Sequence, residues 1–112
     1  MSPTTLELWQ TEWCPASHRV RQRLTELGLS YLVRQVPVER QDRAELVGAT
    51  GHESIPVLVS EGEVIAGAEP IVSYLNTHFV EPPNAGAHRA KAAVAKSKEL
   101  ERACLEQTAA TR

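Results

Sequence analysis

Cys14 and Ser17, three apart in Cys14-Pro15-Ala16-Ser17, are the residues of this chain best equipped for covalent chemistry. A thiol attacks only as its thiolate. A cysteine at the start of a helix is held toward that form by unpaired N–H groups and the positive end of the helix dipole, below its free pKa of ~8.5. Ser17 stands where a two-cysteine redox motif would carry its second thiol. A disulfide formed on Cys14 must therefore be resolved by another thiol, from solution or from a partner. Two roles stay open for Ser17: a hydrogen bond to the thiolate or a bound sulfur, or a local backbone contact in the first helical turn. Pro15 suits the first helical position, where its missing N–H breaks no intrahelical bond.

The flanking sequence places the thiol at a strand-to-helix junction. Thr5-Leu6-Glu7-Leu8-Trp9 alternates with period two as a strand does, and Val20, Leu24 and Leu27 mark one face of a helix ending near Gly28. Tyr31 to Val36 reads as a second strand closed by Pro37, and Ala44, Leu46 and Val47 cover a short helix. Pro56-Val57-Leu58-Val59 and Glu63-Val64-Ile65 flank Ser60-Glu61-Gly62, a hairpin turn. Glu69-Pro70 opens a helix carrying Ile71, Val72, Leu75 and Phe79, closed by Glu81-Pro82-Pro83. From Asn84 onward, Ala90, Ala93, Val94, Ser97, Leu100 and Cys104 recur every three or four residues, so a long helix with a weakly apolar face is expected to pack on the rest. This order predicts an α/β fold: a small mixed sheet covered on both faces.

With 112 residues the chain suffices for one compact domain. Twelve Lys and Arg against fourteen Asp and Glu give a formal charge of −2, with the basic residues dispersed, which argues against nucleic-acid binding. No segment reaches the ~20 apolar residues of a membrane span, and MSPTTLELWQ lacks the features of a secretory signal, so a cytoplasmic, reducing location is expected. Two cysteines far apart form no disulfide framework, and His18, His52, His78 and His88 lack metal-ligand spacing, so no metal is expected. Cys104 reads first as a small apolar residue on its helix stripe, with a resolving or dimer-linking role as the alternative. Arg19 and Arg21 read as surface charges, leaving the helix dipole as the source of thiolate stabilisation, opposed by Glu12 if that side chain turns inward.

Trp13-Cys14-Pro15-Ala16-Ser17 with Arg19-Val20-Arg21 and Leu24, then Gly28, Tyr31, Ile55-Pro56-Val57 and Gly67-Ala68-Glu69, resembles the thioredoxin-like superfamily. Within it the chain is similar to monothiol-type glutaredoxins and to the amino-terminal domain of glutathione transferases, over about Leu6 to Phe79. The resemblance implies a four-stranded mixed sheet flanked by helices over residues 1–83, with a helical extension packed on it over 84–112. It implies Cys14 and Ser17 as catalytic residues and glutathione, or another small thiol, as cosubstrate. Trp13, Pro15, Ile55, Pro56, Val57, Ala68 and Glu69 would line the thiol site. Pro56 would follow a cis peptide bond, the Val57 backbone would bind the cysteinyl part, and Ala68 with Glu69 would hold the γ-glutamyl end. Pro70 departs from the acid-serine pair usual in transferases and removes a hydroxyl and an N–H.

The activity this implies is monothiol disulfide exchange on a glutathionylated protein or small disulfide. The alternatives are transferase-type conjugation or reduction, and a noncatalytic regulatory or iron–sulfur module. A homodimer is compatible with all of these, and neither nucleic acid nor a membrane is expected as partner.

Overall fold

The computed structural model describes the backbone of residues 5–110 and the side chains of residues 5–103 and 105. Four strands, β1 (Leu6–Gln10), β2 (Leu32–Gln35), β3 (Val57–Ser60) and β4 (Glu63–Ala66), form one sheet in the order β2-β1-β3-β4. β1 runs parallel to β2 and antiparallel to β3, and β3 is antiparallel to β4. The helices are α1 (Pro15–Glu26), α2 (Ala44–Thr50), α3 (Ala68–His78) and α4 (Ala85–Ala110), with a 3-10 turn at Arg40–Asp42. This is the four-stranded mixed sheet flanked by helices that the sequence predicts.

Alternate residues of a strand point to opposite faces, and β1 uses both. Leu6 and Leu8 pack with Val20, Leu24 and Leu27 of the α1 region, Leu58 of β3, and Ile71 and Leu75 of α3. Trp9 packs on the other face with Val36, Leu46 of α2 and Val57. The sheet therefore separates α1 and α3 from α2. Leu24 and Leu75 are fully buried, and truncating either to alanine would destabilise the fold by about 2–5 kcal/mol. The chain leaves α1 through Gly28 at φ +68°, and the β3–β4 turn takes Glu61 and Gly62 through φ of 50° and 82°. Glycine adopts this left-handed backbone without the steric penalty a side chain brings, whereas Glu61 does not escape it.

α1 and α3 run side by side in the same direction. Arg19 meets Glu69 near their starts, and farther along Arg23 donates to Asn76 Oδ1 at 2.8 Å. α4 runs against α1: Arg89 reaches Glu26, and Gln22 Nε2 lies 3.5 Å from the His88 carbonyl. Arg23, Glu26, Glu81 and Arg89 make a charge-balanced quartet in which Arg23 lies 2.8 Å from Glu26 and 3.0 Å from Glu81. Arg89 also contacts both carboxylates. Farther along α4 the apolar stripe opens to water, with Val94 52% and Leu100 64% exposed. The Cys104 side chain lies outside the described residues.

Burial pushes the Glu26 carboxyl up, but hydrogen bonds from Gln22, Arg23 and Arg89 outweigh it and leave the group below its ordinary value. A carboxyl depressed in the folded state contributes stability above its unfolded pKa, and that contribution is lost as pH falls through the folded value. Thermal denaturation should therefore show Glu26→Gln less stable than wild type by about 1.5–3 kcal/mol at neutral pH. The two proteins should converge on acidification below the usual carboxylate range.

Candidate functional site

Strand register gathers three chain segments at one end of the sheet. Trp9 is paired with Val57, and Val57 with Ala66, so the exit of β1, the entry of β3 and the exit of β4 lie side by side. The Cys14 turn follows the first, Ile55-Pro56 precedes the second, and Gly67-Ala68-Glu69 follows the third. The Ile55–Pro56 bond is cis, as the resemblance implies. Pro56 is fully buried, and its carbonyl accepts the Gly67 N–H at 2.9 Å, tying the β3 entry to the start of α3.

Cys14 is the N-cap of α1. Its extended backbone (φ −80°, ψ 118°) lets its carbonyl accept the first helical bond, from His18 N–H at 3.0 Å, while Sγ accepts the Ser17 N–H at 3.4 Å. A capping side chain satisfies a helix-start donor, and a thiolate does so with its charge at the favourable end of the dipole. Pro15 takes the first helical position, as predicted. Burial raises the half-buried thiol, but Ser17 through its hydroxyl and amide, the Ala16 amide and the Arg21 charge together leave its pKa below that of an ordinary thiol. The Ser17 hydroxyl is buried and makes no hydrogen bond of ordinary geometry, so the amide gives the formed contact and the hydroxyl acts on the sulfur only by its proximity.

Arg21 is not the surface charge read from the sequence. Its side chain is 15% exposed and lies along the segment that leads to Cys14, while its counter-ion Glu12, 3.3 Å away, is 85% exposed and so does not turn inward. The signal was in the spacing: residues 14, 17 and 21 share one face of α1, the face turned to the end of β1. Arg19 lies on another face and pairs with Glu69 at 2.8 Å, with both side chains largely exposed. Trp13 is 60% exposed beside the thiol, and Ile55 and Ala68 are partly buried. Val57 is fully buried, so its side chain belongs to the core.

Two cavities border α1 away from the sulfur. One of about 350 Å³ lies between α1 and α3, lined by Arg19, Gln22 and Val72 among others. A larger one of about 690 Å³ lies between α1 and α4, lined by His18 and Gln22 on one side and by alanines together with Lys96 and Glu99 on the other. Neither is lined by Cys14. Among the described residues, no three His, Cys, Asp or Glu side chains gather as a metal site, and no helix is long and apolar enough to cross a membrane.

Comparison with known proteins agrees with this geometry. The family model described as glutathione S-transferase, N-terminal domain, matches residues 8–83. Among solved structures, a glutathione S-transferase domain-containing protein of Marinobacter aquaeolei is 27% identical, with a TM-score of 0.57 over 68% of this chain and 40% of that one. A diazinon-metabolizing glutathione S-transferase of the silkworm Bombyx mori is 24% identical, with a TM-score of 0.59 over 66% of this chain and 37% of that one. A glutathione transferase homologue of a Drosophila species, with bound glutathione, is 20% identical, with a TM-score of 0.63 over 69% and 36%. This chain thus spans well under half the length of these relatives. No curated protein matches.

The capped thiol generates a direct expectation. Peptide-resolved alkylation of Cys14 by iodoacetamide across pH should give a midpoint below that of an ordinary thiol. Ser17→Ala keeps the amide but loses the hydroxyl, so its midpoint should move up, and an unmoved midpoint would assign all the local stabilisation to backbone and charge.

Proposed function

Because this chain belongs to the glutathione S-transferase N-terminal domain family, we propose that it is a glutathione-handling unit whose reacting atom is the sulfur of Cys14. The observation that carries this reading is the Ser17 N–H directed at Cys14 Sγ at the start of α1. A helix start that receives a thiolate also receives the thiolate released in each exchange step.

In the proposed cycle, the Cys14 thiolate attacks the glutathionyl sulfur of a mixed disulfide. The S–S bond breaks, the reduced protein or small thiol leaves as thiolate and takes a proton from water, and Cys14 is left glutathionylated. The thiolate of a second glutathione attacks that glutathionyl sulfur, giving glutathione disulfide and free Cys14. The reductant is the second glutathione, whose thiol sulfur is oxidised to the disulfide level as the substrate sulfur is reduced to a thiol. With serine at position 17, no second thiol within the motif competes for the intermediate. The Ser17 hydroxyl is left to donate to whichever sulfur carries the charge.

Glutathione would lie along the sheet end, its cysteinyl part against the Val57 backbone and its γ-glutamyl end toward Ala68 and Glu69. Trp13, Pro15, Ile55 and Pro56 would shape the walls. At the start of α3 the amides of Ala68 and Glu69 would be the donors for a ligand carboxylate, while Pro70 has no N–H to offer. Glu69 would take the ligand ammonium in exchange for Arg19. Residues 1–83 would form the thiol-binding unit and residues 84–112 a helical extension, in a reducing, cytoplasmic setting.

A second reading, conjugation of glutathione to an electrophile, is favoured by one observation. The 690 Å³ cavity between α1 and α4 sets Ala92, Ala93 and Ala95 beside the polar side chains of Gln22, Lys96 and Glu99, and begins at His18, one turn into α1 from Cys14. An apolar acceptor could be held there.

Exchange with a glutathionylated peptide separates the two. The wild-type chain should release the peptide and Cys14→Ser should fall to background; equal rates would overturn the exchange reading. Adduct formation with an electrophile in the absence of exchange would favour the second. Glu69→Gln should raise the glutathione dissociation constant by roughly two- to fivefold, as befits an exposed charged contact.

A further inference from the structure

Arg21 is a permanently charged side chain with little access to water, and the hydrogen bonds its two Nη atoms make all go to one segment. They reach Gln10 Oε1, the Thr11 carbonyl at 3.3 Å, the Glu12 carbonyl at 3.5 Å and the Glu12 carboxylate at 3.3 Å. These three residues span the end of β1 and the turn that presents Cys14.

We propose that Arg21 is the positioning residue of the reacting thiol: its guanidinium fixes the turn that carries Cys14, and Glu12 is the counter-charge that limits how much of its positive field reaches the sulfur. The link to the nucleophile runs through one atom. The Thr11 carbonyl that accepts from Arg21 also accepts the Cys14 N–H at 3.4 Å. Behind it, Gln10, which accepts from Arg21, donates through Nε2 to Gln35 Oε1 of β2 at 3.2 Å. Arg21 is therefore braced against two strands while it holds the turn. A planar guanidinium can serve several acceptors at fixed angles, which a lysine ammonium on a flexible stem cannot.

Few charges surround this turn. Arg21 comes from α1 and Glu12 from the turn itself. From the segment before β2 comes Tyr31, whose phenol is raised by burial above all, with Arg21 lowering it and Glu12 raising it. On the α3 side Arg19 and Glu69 offset each other. Arg21 is also the charged side chain that favours the Cys14 thiolate.

The inference rests on the reading of Cys14 as the reacting thiol, and its test is independent of glutathione. The pH dependence of Cys14 alkylation in the full chain, read on the Cys14 peptide by mass spectrometry, is compared for wild type, Arg21→Met, Arg21→Lys and Glu12→Gln. Arg21→Met should move the midpoint up and slow alkylation several-fold at neutral pH. Arg21→Lys should recover the midpoint in part but not the alkylation rate, since charge is restored without the fork. Glu12→Gln, at an exposed position, should move the midpoint down. An unmoved midpoint in a folded Arg21→Met would overturn the proposal. If that variant does not fold, Glu12→Gln decides alone, and an unmoved or raised midpoint there overturns it. Midpoints that move as expected in a protein that never exchanges disulfides would retain Arg21 as the positioning residue and discard the exchange reading.

Discussion

Everything at the candidate site depends on the position of β1 at the centre of the sheet. Paired on one side with β2 and on the other with β3, it has no freedom to slide. A shift of one residue would send Leu6 and Leu8 to the α2 face and Trp9 to the α1 face, exchanging two differently shaped sets of neighbours. That register fixes where β1 ends, and so where the turn to Cys14 begins. The same ladder carries through β3 to β4 and sets the start of α3 opposite the thiol. The site is thus assembled from backbone pairings made before any functional side chain takes part.

α1 divides its labour by face. Val20 and Leu24 hold it to the sheet, Cys14, Ser17 and Arg21 look toward the end of β1, and Arg19, Arg23 and Glu26 look toward α3 and α4. The two arginines near the thiol have opposite circumstances. Arg21 is desolvated and committed to backbone carbonyls, where a hydrogen bond to a charged group is strong. Arg19 is hydrated and paired with Glu69, an exposed contact of small net value that a ligand can displace. Rigidity is therefore concentrated on the nucleophile and looseness where a ligand end would have to be exchanged.

Much of this was legible in sequence because it was local. Alternation marked β1, proline and the following serine marked the start of α1, and Ser60-Glu61-Gly62 marked the hairpin. The cis bond at Pro56 followed from resemblance and had no local signature. What sequence misjudged was long-range. Arg21 was read by residue type as a surface charge, yet it is largely enclosed because its guanidinium folds back onto Gln10 and the Thr11-Glu12 turn, nine to eleven residues earlier in the chain. The stripe on α4 was periodic enough to suggest packing, but periodicity states which residues share a face and not whether anything meets it. Past Glu99, the last of its residues lining the α1 cavity, α4 carries Leu105, 65% exposed.

β2 lies at the border of the sheet, and all four of its residues, Leu32 and Val33 among them, are exposed. An open border strand is a template on which another chain can add a strand, the first step of non-native self-association. This border is short, and Arg34 bears on it, its guanidinium set over the Trp9 ring and 3.3 Å from Glu7. Pro37, two residues beyond the strand, has no N–H with which to extend the ladder. Resistance of this border to strand addition thus rests on its shortness, one charge and one proline, and removing the Arg34 charge would leave the exposed Leu32 and Val33 beside an unguarded ladder whose natural complement is its own copy.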